Sequence, residues 1–362
     1  MILMALDHVR DYFGVAGINP TDPATTTVPL FFTRWITHFC APIFIFLAGA
    51  SAWIAGTRRT RPELTRLLLT RGLWLILLEF TVISFGWYFS TRWTVGGRAQ
   101  VIWAIGASMV VLAGLIHLPR PAIAGFGVVL VLGHNLLDGI TPESLGTLAP
   151  LWHVLHVPGE LGIVSLRYPL VPWVGVMALG YVAGPVVFSR SVEASRRLVC
   201  VGVVLVFAFV ELRLSNLYGD PSARLLDGDP ATMLMSFLNA TKYPPSLLYL
   251  LMTLGPGLIA LAVFRGAKGP LAGVLVTFGR VPFLFYVAHL YLVHSIAVAL
   301  GVAQGFPTSA MLTYFRDLPK AYGFGLPVVY LVWLFVVAGL YPVCRRYATL
   351  KARSRAWWLS YL

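Results

Sequence analysis

The sequence predicts an all-α polytopic membrane protein: a bundle of about ten transmembrane helices, the first truncated at its N-terminus. Three observations predict it. The 362 residues are 58% hydrophobic and only 11% charged, where a soluble domain is about half apolar and about a quarter charged; mean hydropathy is +0.80. Apolar runs long enough to cross a bilayer recur along the whole chain. Arginine and lysine gather in short clusters between those runs, as topology signals do.

The first apolar run, from Met1 to Phe13, is shorter than the roughly 20 residues that span a hydrocarbon core. A start placed downstream of the true one, or a helix that enters the membrane part way, is therefore expected. No basic segment precedes the run and no small-residue cleavage site follows it, so no secretory signal is expected. Further spans are expected near 33–56, 70–89, 100–117, 121–137, 168–189, 198–213, 246–264, 281–302 and 324–343. A short apolar piece at 270–278, stopped by Gly279 and Arg280, breaks the ninth span in two. No internal repeat is evident, and residues 1–362 read as one transmembrane domain.

Orientation follows from the basic connections. Arg58, Arg59, Arg61, Arg66 and Arg71 lie in or beside one of them, Arg190, Arg196 and Arg197 in another, and Arg345, Arg346, Lys351, Arg353 and Arg355 follow the last span. The positive-inside rule makes these cytoplasmic and the protein a multi-pass protein of the inner (plasma) membrane. The formal net charge of +13 is accounted for in this way, and no nucleic-acid motif is present. Cys40, Cys200 and Cys344 show no metal-ligand spacing. Trp357, Trp358 and Tyr361 suit the membrane–water interface, as do His117 and His134 at span ends.

Chemistry concentrates in MILMALDHVRDYF, an apolar run that suddenly carries Asp7, His8, Arg10 and Asp11. Residues three and four apart share a helix face, so His8, Asp11 and Tyr12 look the same way. Ionisable groups are costly in hydrocarbon and mark a polar cavity or a reaction path; the plainer alternative is a helix end that reaches water. At about 1.5 Å per residue, His8 and His38 fall at comparable depth, with Arg34 close by. Glu79 and His294 lie deeper, and His289 nearer mid-membrane. A histidine whose far nitrogen is held by a carboxylate is a suitable general base, with Asp11 the nearest such partner for His8. For His38, His289 and His294 an interhelical hydrogen bond is an equal alternative. His153 and His156 are three apart, but no third ligand lies near them in sequence and no metal is expected.

The stretches LMALDHVRDYF, FCAPIFIFLAGASAW, YPLVPWVGVMALGY, FLNATKYPPSLLYLLMTLGP, FGRVPFLFYVAHLYLVH and KARSRAWWLSYL resemble bacterial membrane proteins related to the catalytic domain of heparan-α-glucosaminide N-acetyltransferase. The resemblance runs over nearly the whole chain. It implies a transmembrane acyltransferase that takes acetyl-CoA on the cytoplasmic side and acetylates a sugar or related polar acceptor on the far side. In the wider acyltransferase superfamily an Arg-Gly pair precedes a histidine in the first helix. His8 occupies that histidine's place, and the Arg would fall upstream of Met1. The loop GVAGINPTDPATTTVPL contains no histidine, so the active-site histidine that the eukaryotic enzyme carries there passes to His8 or His38.

On that basis His8, Asp11 and His38 are the expected catalytic group. Arg34, Glu79, Asn239, Lys242, Arg280 and His289 are candidates for holding the acceptor or developing charge, and Arg58, Arg59 and Arg66 for the phosphates of acetyl-CoA. Direct transfer and an acetyl-histidine intermediate both stay open. The competing class is a proton-coupled transporter or permease of an envelope-related solute, in which the same side chains relay protons; it should show paired broken helices, and one break is visible. A structural subunit of an envelope-polymer complex is a third class. The acceptor's identity and the oligomeric state, a homo-oligomer included, are left open.

Overall fold

The structure is a computed structural model and describes residues 1–89, 97–354 and Leu359. Arg355, Trp357, Trp358 and Tyr361 lie outside the described residues. Among the described residues, eight helices are long and apolar enough to cross a membrane: Val28–Gly56, Arg61–Tyr88, Arg120–Leu137, Leu170–Phe188, Val192–Ser215, Leu247–Phe264, Pro282–Ala303 and Leu326–Arg353. The shorter apolar helix Val101–Leu115 and the 12-residue Ile2–Phe13 bring the number to the ten expected. The protein is an all-α polytopic membrane protein.

The chain forms two compact units. The first comprises Met1–Cys40, Thr81–Val95 and Ala267–Leu362, the second Ala41–Phe80 and Gly96–Gly266.

In the first unit, α1 (Ile2–Phe13) packs on α14 (Pro282–Ala303) and α16 (Leu326–Arg353). Trp333 Nε1 donates to the Ile2 carbonyl at 2.9 Å, and Phe324 N donates to the Phe13 carbonyl at 2.7 Å, so both ends of α1 are tied down. α2 (Val28–Trp35) is started by Thr27, whose hydroxyl accepts from Leu30 N, and by Pro29 in the first turn. It runs into a 3-10 turn, Ile36–Phe39. The predicted break falls between α13 (Pro270–Arg280) and α14: Val281 leaves helical geometry at φ −131°, ψ 52°, and Pro282 opens the next helix. Proline disfavours helical geometry at the residue before it, which explains the break.

The second unit is built on the helix pairs α4 (Arg61–Leu78) with α6 (Val101–Leu115), α7 (Arg120–Gly133) with α9 (Leu170–Phe188), and α10 (Val192–Ser215) with α12 (Leu247–Phe264). Glycines sit at these crossings. A Cβ on Gly72 would lie 2.6 Å from the Gly106 carbonyl, and one on Gly202 2.7 Å from that of Gly255. Inside a membrane there is no hydrophobic gain from helix association, so small residues that let backbones approach closely carry the packing. A small sheet, unforeseen in an all-helical reading, joins β1 (Gly97–Ala99), β3 (Val164–Leu166) and β2 (Gly159–Leu161) in that order. β1 runs parallel to β3 and β2 antiparallel to it.

Two charged side chains organise the approach to α12. Arg213 is 2% exposed and donates to the carbonyls of Ser222, Ser236, Phe237 and Asn239, gathering the C-terminal end of α11 (Pro230–Leu238). Asp220 accepts from Thr241 N, Thr241 Oγ1 and Ser246 Oγ, and Ser246 caps α12 by accepting from Tyr249 N.

Gly202→Val is expected to cost about 1–3 kcal/mol of stability through forced separation of α10 and α12, read as a lowered Tm in detergent. Gly114→Ala, where a Cβ meets nothing within 4 Å, is expected to leave Tm unchanged or slightly raised. Arg213→Met is expected to cost about 2–4 kcal/mol, because four carbonyls lose a charged donor.

Candidate active site

The charges of α1 are paired within the first unit. Asp7, Arg10 and Asp11 share a face by helical spacing, and Arg10, 8% exposed, bridges the two acids: its Nη2 lies 2.8 Å from Asp7 Oδ1 and 2.5 Å from Asp11 Oδ1. Arg34, from α2, places Nη1 2.8 and 2.9 Å from the two oxygens of Asp7. Thr37 Oγ1 donates to Asp7 Oδ1 at 2.9 Å. Two carboxylates and two guanidiniums thus form a group that is neutral in total, the arrangement that makes buried charge tolerable.

His8 stands beside this network. Its Nδ1 lies 2.7 Å from Nε2 of His289, and the two rings lie nearly parallel, 12° apart, with centroids 4.9 Å apart. Trp87 and Tyr286 meet His8 edge-on at 4.8 and 5.9 Å. His289 is fully buried, and its Nδ1 lies 2.8 Å from the carbonyl of Phe285, one turn earlier in α14. A carbonyl only accepts, so His289 Nδ1 carries the hydrogen and, in the neutral ring, Nε2 carries the lone pair. His8 Nδ1 must then donate to His289. In neutral His8 this leaves Nε2 as the lone-pair nitrogen, which is the nitrogen a general base uses.

This geometry differs from the sequence expectation in one respect. Asp11 was expected to hold the far nitrogen of His8; in the structure Asp11 is engaged with Arg10, and His289 stands at His8 Nδ1. Counting residues from span ends places His289 nearer mid-membrane than His8; the structure brings the two rings within hydrogen-bond distance.

His38 is buried in the 3-10 turn after α2, 3% exposed. His294 serves cohesion: Nδ1 faces the Gly86 carbonyl at 2.9 Å and Nε2 the Met311 carbonyl at 3.1 Å. Its ring stacks on Phe89. Tyr12, on the face of α1 that also carries His8, donates to the Trp87 carbonyl at 2.6 Å. Arg280 is exposed at the C-terminal end of α13.

The remaining candidates belong to the second unit. Glu79 is fully buried, and its Oε2 accepts from Trp103 N at 2.8 Å in the first turn of α6. It thereby satisfies a helix N-terminus, a structural role that the sequence did not signal. The Asn239 carbonyl accepts from Arg213, while Lys242 places its ammonium 5.2 Å over the Tyr243 ring. Arg58, Arg59 and Arg66 are exposed. Arg59 donates to the Ala55 carbonyl at the end of α3 (Cys40–Gly56), and Arg66 lines an open groove of about 440 Å³ with Thr65, Thr70 and His117. His134, at the end of the span Arg120–Leu137, is 1% exposed.

A family model for heparan-alpha-glucosaminide N-acetyltransferase, catalytic, matches residues 1–210, more than half of the chain. The chain belongs to this family. It is therefore a member of a membrane acetyltransferase family, and the match includes α1 with His8 and the Asp7–Arg34 network. Three of the six stretches quoted above, from FLNATKYPPS onward, lie beyond the matched residues. No curated protein matches the chain, and no solved structure does.

The pairing makes Asp7 the most sensitive position of the network. Asp7→Ala takes the carboxylate partner from Arg34, while Arg10 keeps Asp11, and is expected to cost about 3–5 kcal/mol, measured by thermal unfolding in detergent. Asp7→Leu combined with Arg34→Met removes the imbalance and should recover a large part of that loss; an additive double variant would refute the coupling.

Proposed function

We propose that the chain is an acetyl-CoA-dependent acyltransferase of the inner membrane. It takes acetyl from acetyl-CoA on the cytoplasmic side and passes it to a hydroxyl or amine of a sugar or related polar acceptor on the outer side. Family membership supports the reaction class. The observation that carries the site is the His8–His289–Phe285 chain of hydrogen bonds, which fixes the tautomer of His8 and leaves its Nε2 as the base.

The step is a balanced transfer. His8 Nε2 takes the proton of the acceptor hydroxyl or amine as the acceptor atom attacks the thioester carbonyl carbon. As the tetrahedral adduct collapses, the C–S bond breaks and CoA leaves as the thiolate, which receives the proton from His8. His289 is the positioning residue: in the imidazolium state of His8 it still accepts from Nδ1, so no ring rotation is needed. Asp11, one turn on, is held by Arg10, and we assign His38, buried in the turn after α2, as a second histidine of this unit for the reaction. For the developing oxyanion and the acceptor we assign the cations of the first unit, Arg34 and Arg280; Asn239, Lys242 and Glu79 belong to the second unit, where Glu79 completes the start of α6. Arg58, Arg59 and Arg66 are assigned to the CoA phosphates, since guanidinium forks match phosphate oxygens and Arg66 borders an open groove.

The test is release of free CoA from acetyl-CoA, with and without envelope glycan extract. Wild type is expected to show acceptor-dependent release, and His8→Ala to lose about 10²–10⁴-fold in kcat while remaining folded. His289→Gln, which keeps an acceptor for His8 Nδ1, should retain more activity than His289→Leu and shift the acidic limb of the kcat profile. An equal loss in both, with an unmoved profile, would make His289 a packing residue. No CoA release and no acetyl-CoA binding over a broad acceptor panel would end the enzyme reading and send the chain to proteoliposome transport assays.

A further inference from the structure

Away from His8, the second unit gathers two histidines and a carboxylate from separated parts of the chain. His134 opens the 3-10 turn His134–Leu137 that ends α7, Asp138 closes that turn, and His156 follows α8 (Ala149–Leu155). One ligating atom from each lies within 4.8 Å of the other two. His156 Nε2 is 3.0 Å from Asp138 Oδ1.

The burial of these groups is what demands an explanation. His134 and His156 are each 1% exposed, yet neither ring nitrogen of His134 has a hydrogen-bond partner, nor does Nδ1 of His156. A neutral imidazole always presents one donor and one lone pair, and burying both without partners is unfavourable at a position where leucine would pack as well. Asp138 is partly exposed, at 26%, so the group is reachable from outside. Burial alone would raise its carboxyl, but hydrogen bonds from His156 and Asn135 outweigh that and hold it below the ordinary carboxylate range.

A supporting layer fixes the carboxylate. Asn135 Nδ2 donates to Asp138 Oδ2 at 2.7 Å, and Asn135 Oδ1 accepts from Leu247 N at 2.8 Å, at the start of α12. Metal-ligating carboxylates are oriented by such outer hydrogen bonds. Two imidazoles and a carboxylate form a donor set that suits zinc and related divalent ions. Three donors at about 2.1 Å from a tetrahedral ion stand roughly 3.4 Å apart, a spacing these side chains reach by small rotations.

We propose that His134, Asp138 and His156 bind a divalent transition-metal ion, zinc foremost, with a fourth position open to water or an exogenous ligand. The ion joins the end of α7 to the end of α8 and clamps the connection 138–156. This departs from the expectation of no metal, which rested on the lack of a third ligand near His153 and His156. The third ligand comes from 22 residues before His156, and His153 is not part of the set: its Nδ1 faces the Val157 carbonyl.

The test uses the full chain, purified in detergent through a tag without histidine, stripped with chelator and titrated with Zn²⁺ or Co²⁺. Wild type is expected to bind about one equivalent by elemental analysis, to show the visible d–d bands of a low-symmetry Co²⁺ site, and to gain Tm on adding zinc. His134→Ala should weaken binding at least about 100-fold, and Asp138→Asn, which keeps the side-chain shape, about 10–100-fold. Failure of wild type to bind one equivalent overturns the proposal, as does equal binding by wild type and Asp138→Asn, a comparison that stands even where His134→Ala does not fold. Because the readouts are stoichiometry and spectrum, the outcome is independent of any acyltransferase activity.

Discussion

Charge that enters a membrane helix must arrive already neutralised, and the first unit is arranged around that constraint. Asp7 cannot sit in α1 without Arg34, and Arg34 can reach it only because Thr27 and Pro29 start α2 where they do. Arg10 then holds Asp11, so four ionised groups from two helices behave as one neutral object. Its rigidity is passed to His8, which shares α1 with three of the four. A histidine beside a pre-paired network can change its protonation without reorganising the charges around it.

The second unit meets the same solvent with different means. Its helices approach through glycines, and its buried polar groups are used to finish backbone ends: Glu79 at the start of α6, Arg213 at the end of α11, Ser246 at the start of α12. Each satisfies groups that lipid cannot. A buried ionisable residue in such a protein therefore has two readings, catalyst or terminator, and the hydrogen-bond partner decides between them. Backbone N–H and C=O partners mark Glu79 and Arg213 as terminators, while the partner at His8 Nδ1 is another imidazole.

The spans, their approximate bounds and the break before α14 were legible in the sequence because each depends on local composition: apolar length, and proline or glycine at the break. The importance of the DHVRD segment was legible for the same reason, since charge in an apolar run is anomalous by itself. Partnerships were not. His8 and His289 are 281 residues apart, and helical periodicity gives the face of each but not which faces meet. The same blindness hid Glu79's work at α6, and it hid the burial of His134. The three short strands escaped notice because three residues are too few to display an alternating pattern.

Arg213 and Asp220 between them grip both ends of the segment that leads from α10 to α12, at Ser222 on one side and at 236–246 on the other. Between the grips, Leu225 and Leu226 are well exposed. Its length and sequence are thereby decoupled from the position of α12, so extra residues accepted around 225–229 leave the membrane core undisturbed. An experimenter can place a fluorophore or an epitope in the same interval.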